Sequence, residues 1–184
     1  MHVLLLGPPD SPLGPWLRQQ GETVTSTSEP LKDERADFLV SYGYRHILRQ
    51  PVLDRFPDRA VNLHISLLPW NRGADPNLWS FVEDTPKGVT IHHLDAGVDT
   101  GDIIVQRAVA FGPDETLRSS YQRLQLAIEQ LFHEIWPALR AGRAPRRRLE
   151  GPGTSHRLRD REALLPLLAA GWDTPVARLR RAPG

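Results

Sequence analysis

Asn62, His64 and Asp99 are the residues whose types and order best suit chemistry in this chain. An Asn amide can donate a hydrogen bond to a developing oxyanion, a His can take a proton from an attacking nucleophile, and a carboxylate can orient that His. Such a set suits acyl transfer in which the protein supplies no nucleophile. Asn62 and His64 stand two apart in the run Val61 to Ile65, so in a strand they project on the same side. The stretch Val61 to Gly73, VNLHISLLPWNRG, then breaks at Pro69 into a loop carrying Trp70, Asn71 and Arg72. Taken singly, each residue also has a plain structural reading: an Asn satisfying backbone groups, a hydrogen-bonded core His, an Asp-Thr-Gly turn. Spacing alone does not bring His64 and Asp99 together across 35 residues.

The elements that must position these side chains read as an α/β domain. Val3 to Leu6 is a short apolar strand, Leu13, Trp16 and Leu17 fall at helical spacing, and Val24 to Thr27 is β-branched, which together make a βαβ opening with parallel pairing. Gly7-Pro8-Pro9-Asp10-Ser11 lacks the glycine-dense turn of a dinucleotide fingerprint, so no nicotinamide or flavin is expected. Phe38 to Ser41 and Ala60 to Ile65 are buried-strand candidates, and Tyr42-Gly43 and Ser66 to Gly73 lie at their carboxyl ends, where sites in open α/β sheets occur. Tyr42 and Tyr44 read either as site residues or as an apolar cap on the sheet. Asp75-Pro76 resembles a helix N-cap with Pro at the first helical position. Val89 to Leu94 and Asp102 to Phe111 are extended, joined by the loop Asp95 to Gly101. Leu117, Tyr121, Leu124, Ile128, Leu131, Ile135 and Leu139 predict a helix over Asp114 to Ala141, capped by Asp114 and Gly142, with Pro137 kinking its last turn. A last helix is predicted over Ser155 to Ala170.

Composition narrows the function classes. The 184 residues suffice for one well-buried core, and the absence of Cys excludes disulfides, thiolate metal sites and a Cys nucleophile. With no basic apolar leader and no run of 18 apolar residues, the chain reads as soluble and cytoplasmic. Residues 1–139 hold 12 Lys and Arg against 18 Asp and Glu, whereas residues 140–184 hold 11 against 4. That asymmetry suits a tail docked on an acidic body, or a polyanion-binding tail around Arg146 to Arg148. Acidic interruptions and the lack of interleaved aromatic residues favour docking, so no nucleic-acid partner is expected.

The order of motifs carries a resemblance. Asn62-Leu63-His64-Ile65-Ser66-Leu67-Leu68-Pro69, then Arg72-Gly73, Gly88-Val89-Thr90-Ile91-His92 and Val98-Asp99-Thr100-Gly101-Asp102-Ile103-Ile104, resembles the 10-formyltetrahydrofolate-dependent formyltransferases. The likeness runs from about Tyr42 to Gln106. It implies a Rossmann-like formyltransferase domain with a largely parallel central sheet flanked by helices, spanning residues 1–142. A short basic C-terminal helical extension, 143–184, would pack on it. It implies Asn62, His64 and Asp99 as the catalytic triad and 10-formyltetrahydrofolate as co-substrate, with no metal. The pterin would lie between Arg45, His46, Ile47 and Leu48 on one side and Asp95, Ala96, Gly97 and Val98 on the other. His92 and His93 read as structural.

The wording Leu68-Pro69-Trp70-Asn71-Arg72-Gly73-Ala74-Asp75-Pro76 is closer to sugar N-formyltransferases and to the formylation domains of nonribosomal peptide synthetases. The latter also resemble the chain around Thr154 and His156. The acceptor implied is a small-molecule amine, an amino sugar on a nucleotide first and an amino acid or carrier-bound aminoacyl group second, with Trp70, Asn71 and Arg72 on the acceptor side. A non-catalytic folate- or nucleotide-binding module, hydrolysis of the formyl folate, and a metallohydrolase built on His64, His92, His93 and Asp99 are the rival readings. The Leu-rich stretch Leu164 to Trp172 either pairs two copies of the chain or covers the sheet.

Overall fold

The aliphatic runs between His2 and Ala108 assemble a six-stranded sheet in the computed structural model, which describes residues 1–180. In chain order the elements are β1 (His2–Leu6), α1 (Leu13–Gln19), β2 (Thr23–Thr27), β3 (Phe38–Tyr42), α2 (Gln50–Leu53), β4 (Ala60–His64), β5 (Arg72–Gly73), α3 (Pro76–Val82), β6 (Gly88–His93), β7 (Ile103–Ala108), α4 (Leu117–Arg140) and β8 (Ser155–His156). The sheet runs β2-β1-β3-β4-β6-β7. Its first four strands are parallel, and β6 and β7 join as an antiparallel pair. This is the expected mostly parallel, Rossmann-like sheet with flanking helices.

Burial on both faces explains why β1 reads as a continuous apolar run. Val3 and Leu5 pack in one cluster with Ile128, Phe132 and Trp136 of α4, while Leu4 and Leu6 pack on the opposite face with Leu39, Leu53 and Phe56. β4 and β6 both enter the first of these clusters, through Val61, Leu63, Val89 and Ile91, while of these two strands only Ala60 at the start of β4 joins the second. The other face of those two strands is therefore free to carry polar residues.

Two helix caps differ from expectation. α4 starts at Leu117 and is capped by Thr116, whose hydroxyl accepts from Ser119 N at 3.2 Å while Ser119 Oγ takes Thr116 N at 3.0 Å. This reciprocal pair satisfies two amides at the helix start, and Asp114 lies outside it. Pro76 opens α3 as expected, but Asp75 sits at φ +50 and its carboxylate faces Arg161 at 3.4 Å instead of capping an amide.

The C-terminal extension is helical as expected but differs at its start and in its winding. Ser155 and His156 form a short strand in parallel with Arg72 and Gly73, and Leu158–Leu168 is a tight three-residue-per-turn helix around Pro166. Pro166 has no N–H to give an α-helix there. Leu164, Val176 and Leu179 are buried against α3 and Leu117. The basic run lies on the acidic body. Arg146 meets Asp102 at 2.8 Å and also pairs with Asp58, and Arg147 bonds Gln106 while exchanging two backbone hydrogen bonds with Ile103. No helix among the described residues is long and apolar enough to cross a membrane.

Ile128 is fully buried between α4 and the sheet. Ile128→Ala is expected to cost about 2–5 kcal/mol, measured as a lower urea midpoint with an unchanged slope.

Candidate active site

The antiparallel return of β6 against β4 builds the polar face. Their register sets His92 opposite Asn62 and Thr90 opposite His64, so period-two alternation gathers four polar residues on the face that the apolar cluster leaves free. Thr90 also fixes the loop that follows β4. Its hydroxyl donates to Ser66 O at 2.7 Å and accepts from Leu68 N at 3.1 Å, and Gln106 on β7 reaches Leu68 O at 2.8 Å. These side chains hold residues 66–68 against the sheet before the chain turns at Pro69.

Asp99 arrives on the loop between β6 and β7. Leu94 N bonds Ala60 O at 2.9 Å, which starts the loop beside β4, and Asp95 Oδ1 shapes it by accepting from Gly97 N at 3.1 Å and Thr100 Oγ1 at 2.7 Å. The return passes so close to β6 that a Cβ at Gly101 would stand 1.8 Å from His93 O. Asp99 itself adopts φ +52, which turns its side chain back over β4.

Four groups surround the Asp99 carboxylate. Asn62 Nδ2 donates to Oδ1 at 2.9 Å and Gly73 N donates to Oδ2 at 2.8 Å. His64 Nδ1 lies 3.5 Å from Oδ2 and His92 Nε2 3.3 Å from Oδ1, each an ion pair whenever its ring carries both protons. The sequence-predicted triad is thus in mutual reach, and its carboxylate is 9% exposed. Burial pushes the Asp99 carboxyl up, but the neighbouring His64 charge, His92 and the Gly73 amide outweigh it and hold the group well below the usual carboxylate range.

The carbonyl partners fix which ring nitrogens carry protons. A carbonyl only accepts, so His64 Nε2, 3.0 Å from Asn71 O, is a donor, and so is His92 Nδ1, 2.8 Å from His93 O. His92 Nε2 also stands 3.2 Å from Asn62 Nδ2. His92, read from sequence as structural, is buried as such a residue should be and yet touches two members of the triad. Period two from Thr90 places it on the polar face, but only the strand register sets it opposite Asn62. His93 points elsewhere; burial and then the Arg146 charge hold its pKa below the ordinary imidazole value.

The other sequence-predicted residues divide. Arg45, His46 and Ile47 are exposed, as are Asp95, Ala96, Gly97 and Val98, whereas Leu48 is buried beneath its loop in one cluster with Leu94. Ile47, 71% exposed, and Val98, 47% exposed, offer apolar surface on the two loops. Trp70 and Arg72 are half-buried, with Arg72 Nη2 donating to Pro152 O at 3.3 Å.

Asn71 departs from the expectation of an acceptor contact. Its side chain is fully buried, accepts from Thr85 Oγ1 at 2.7 Å and donates to Glu83 and Thr154, so only its backbone reaches His64. The sequence offered no signal for Thr90, Gln106 or Thr154 in these roles, because each acts through a partner far away in the chain.

With the geometry in place, known proteins supply a comparison. A family model described as formyl transferase matches residues 11–135. Methionyl-tRNA formyltransferase of Geobacter metallireducens is 33% identical over 129 residues, and that of Geobacter sulfurreducens 39% over 111. These alignments cover 70% and 60% of this chain but only 42% and 35% of the relatives' own lengths. The formyltransferase PseJ from Anoxybacillus kamchatkensis, solved in complex with UDP-4,6-dideoxy-4-formamido-L-AltNAc and tetrahydrofolate, is 49% identical. It superposes with a TM-score of 0.94 over 97% of both chains. A sugar N-formyltransferase from Shewanella, at 22% identity and a TM-score of 0.78 over 89% of this chain and 79% of its own, shares the fold.

The depressed Asp99 pKa has a defined sign in stability. Folding favours the ionised form, so the contribution is complete above the unfolded carboxylate pKa, roughly 4, and is lost as pH falls below it toward the native value. Wild-type unfolding free energy is expected to fall more steeply than that of Asp99→Asn as pH drops below about 4. Denaturant titrations at a series of pH values check this, and parallel curves would contradict it.

Proposed function

The chain belongs to the formyl transferase family, and on that premise we propose that it transfers a formyl group from 10-formyltetrahydrofolate to the primary amine of an amino sugar carried on a nucleotide. The observation that carries this reading is the near-complete likeness, in length as well as fold, to a formyltransferase whose structure holds a formamido UDP-sugar and tetrahydrofolate. The triad contact supports it independently.

The residues present fit such a co-substrate. Ile47 and Val98 supply exposed apolar surface on two separate loops, of the kind that a flat heteroaromatic ring covers. 10-Formyltetrahydrofolate brings the activated formyl group. Asn62 has two amide protons, one held by Asp99 at 2.9 Å and the other beside His92 Nε2 at 3.2 Å, so the amide is oriented, and the second proton would turn from His92 to serve as donor to the formyl oxygen. His64 Nε2–H, resting here on Asn71 O, is the second donor.

Both donors act where negative charge develops as the neutral amine attacks the formyl carbon. Asp99 balances the charge on His64 and lets it relay the proton lost by the amine to the folate nitrogen that leaves. The C–N bond forms to the acceptor, the bond to folate nitrogen breaks, and the products are a formamide and tetrahydrofolate.

Expected behaviour follows from these roles. With formyl folate and a panel of amines, tetrahydrofolate release should need an acceptor and run fastest with a nucleotide-linked amino sugar. Carrier-bound aminoacyl groups and free amino acids serve as the competing acceptors. Asn62→Ala and His64→Ala should each lower kcat by roughly a hundredfold or more while tetrahydrofolate binding, followed by fluorescence or calorimetry, is retained. A His64→Ala protein with near-normal turnover would overturn the mechanism.

A further inference from the structure

We infer that Thr154, on the C-terminal extension, is a positioning residue for the catalytic set, acting through the backbone of residues 71–74; its effect on turnover rests on the formyl-transfer reading of His64 and Asp99. The loop after β4 faces two ways. Inward, Asn71 O takes the proton of His64 Nε2 at 3.0 Å and Gly73 N donates to Asp99 Oδ2 at 2.8 Å. Outward, the same backbone is held by the extension: Asn71 N donates to Thr154 Oγ1, Arg72 N to Thr154 O and Ala74 N to His156 O, each at 2.9 Å. β5 has β8 as its single sheet neighbour, so Gly73, which makes one inward contact, and Arg72, which joins it to Asn71, owe their ladder to the extension.

The approach is close and anchored. A Cβ at Gly73 would stand 2.3 Å from His156 O, and one at Gly153 2.0 Å from Pro69 O. The His156 ring stacks on Trp79 with centroids 3.8 Å apart and planes 6° from parallel, tying the strap to α3. Thr154 Oγ1 also accepts from Asn71 Nδ2 at 3.4 Å, so one hydroxyl serves both the backbone and the buried side chain of that residue. Asn71 holds φ +56, a conformation that needs such support. A valine of the same shape would leave Asn71 N–H without its acceptor, and the loop would relax away from His64.

Catalytic groups tolerate only about 0.5 Å of misplacement. Thr154→Val is therefore expected to lower kcat roughly ten- to hundredfold with KM for formyl folate unchanged, and Thr154→Ser, which keeps the hydroxyl, to restore turnover. Imidazole 15N resonances of His64 give a readout separate from activity: Thr154→Val should shift them and Thr154→Ser should not. Ile128→Ala, destabilised in the core, should leave them in place, which separates positioning from loss of stability.

Thr154→Val with wild-type His64 resonances and wild-type kcat would overturn the inference, as would an equal shift in Ile128→Ala. Should the wild-type chain transfer no formyl group to any amine, the functional reading falls, while the His64 resonances still decide whether Thr154 positions that ring.

Discussion

A single carboxylate with little access to water constrains the whole centre of this molecule. An isolated ionised Asp at such burial would cost several kcal/mol, and Asp99 stays charged because four groups from three separate segments converge on it. β4 supplies Asn62 and His64, β6 supplies His92, and the loop after β4 supplies the Gly73 amide. Each segment therefore has one permitted placement relative to the others. The same contacts orient the amide and the imidazole that the proposed chemistry uses, so electrostatic satisfaction of Asp99 and organisation of the active site are one arrangement.

The sheet makes that convergence possible by changing direction once. The parallel strands form the scaffold, with β1 and β3 buried on both faces, and β6 then returns antiparallel to β4. An antiparallel neighbour places residues in direct opposition across the strands. His92 against Asn62 and Thr90 against His64 are the result. Thr90 and Gln106 then hold the next loop from beneath while the C-terminal extension holds it from outside, so neither face of residues 66–74 is left to loop entropy alone.

How much of this was legible in the residues depended on the range of the interaction. Strand positions and the α4 periodicity follow from local pattern, and the Asn62 and His64 pair follows from alternation within one strand. Joining Asp99 to that pair needed the likeness to a known family, because spacing across 35 residues carries no contact information. His92 reads from the sequence as structural, and its contact with Asn62 and Asp99 does not show there, since cross-strand register is a tertiary property. Asn71 was misread because an Asn in an exposed-looking loop gives no hint that Thr85, Glu83 and Thr154 will enclose it. The extension is helical as its leucines around Pro166 predict, though with three residues per turn, while Ser155 and His156 form a strand only because Arg72 and Gly73 are there to pair with.

Following a 13C-labelled formyl group by NMR tests the central claim most directly. With 10-[13C]formyltetrahydrofolate and a UDP-linked 4-amino sugar, the account predicts that the label passes to the sugar as a formamide, one equivalent for each tetrahydrofolate released, and that Asp99→Asn leaves it on the folate. Label accumulating as free formate at the same rate with or without the amine, or transferred equally well by Asp99→Asn, would contradict it.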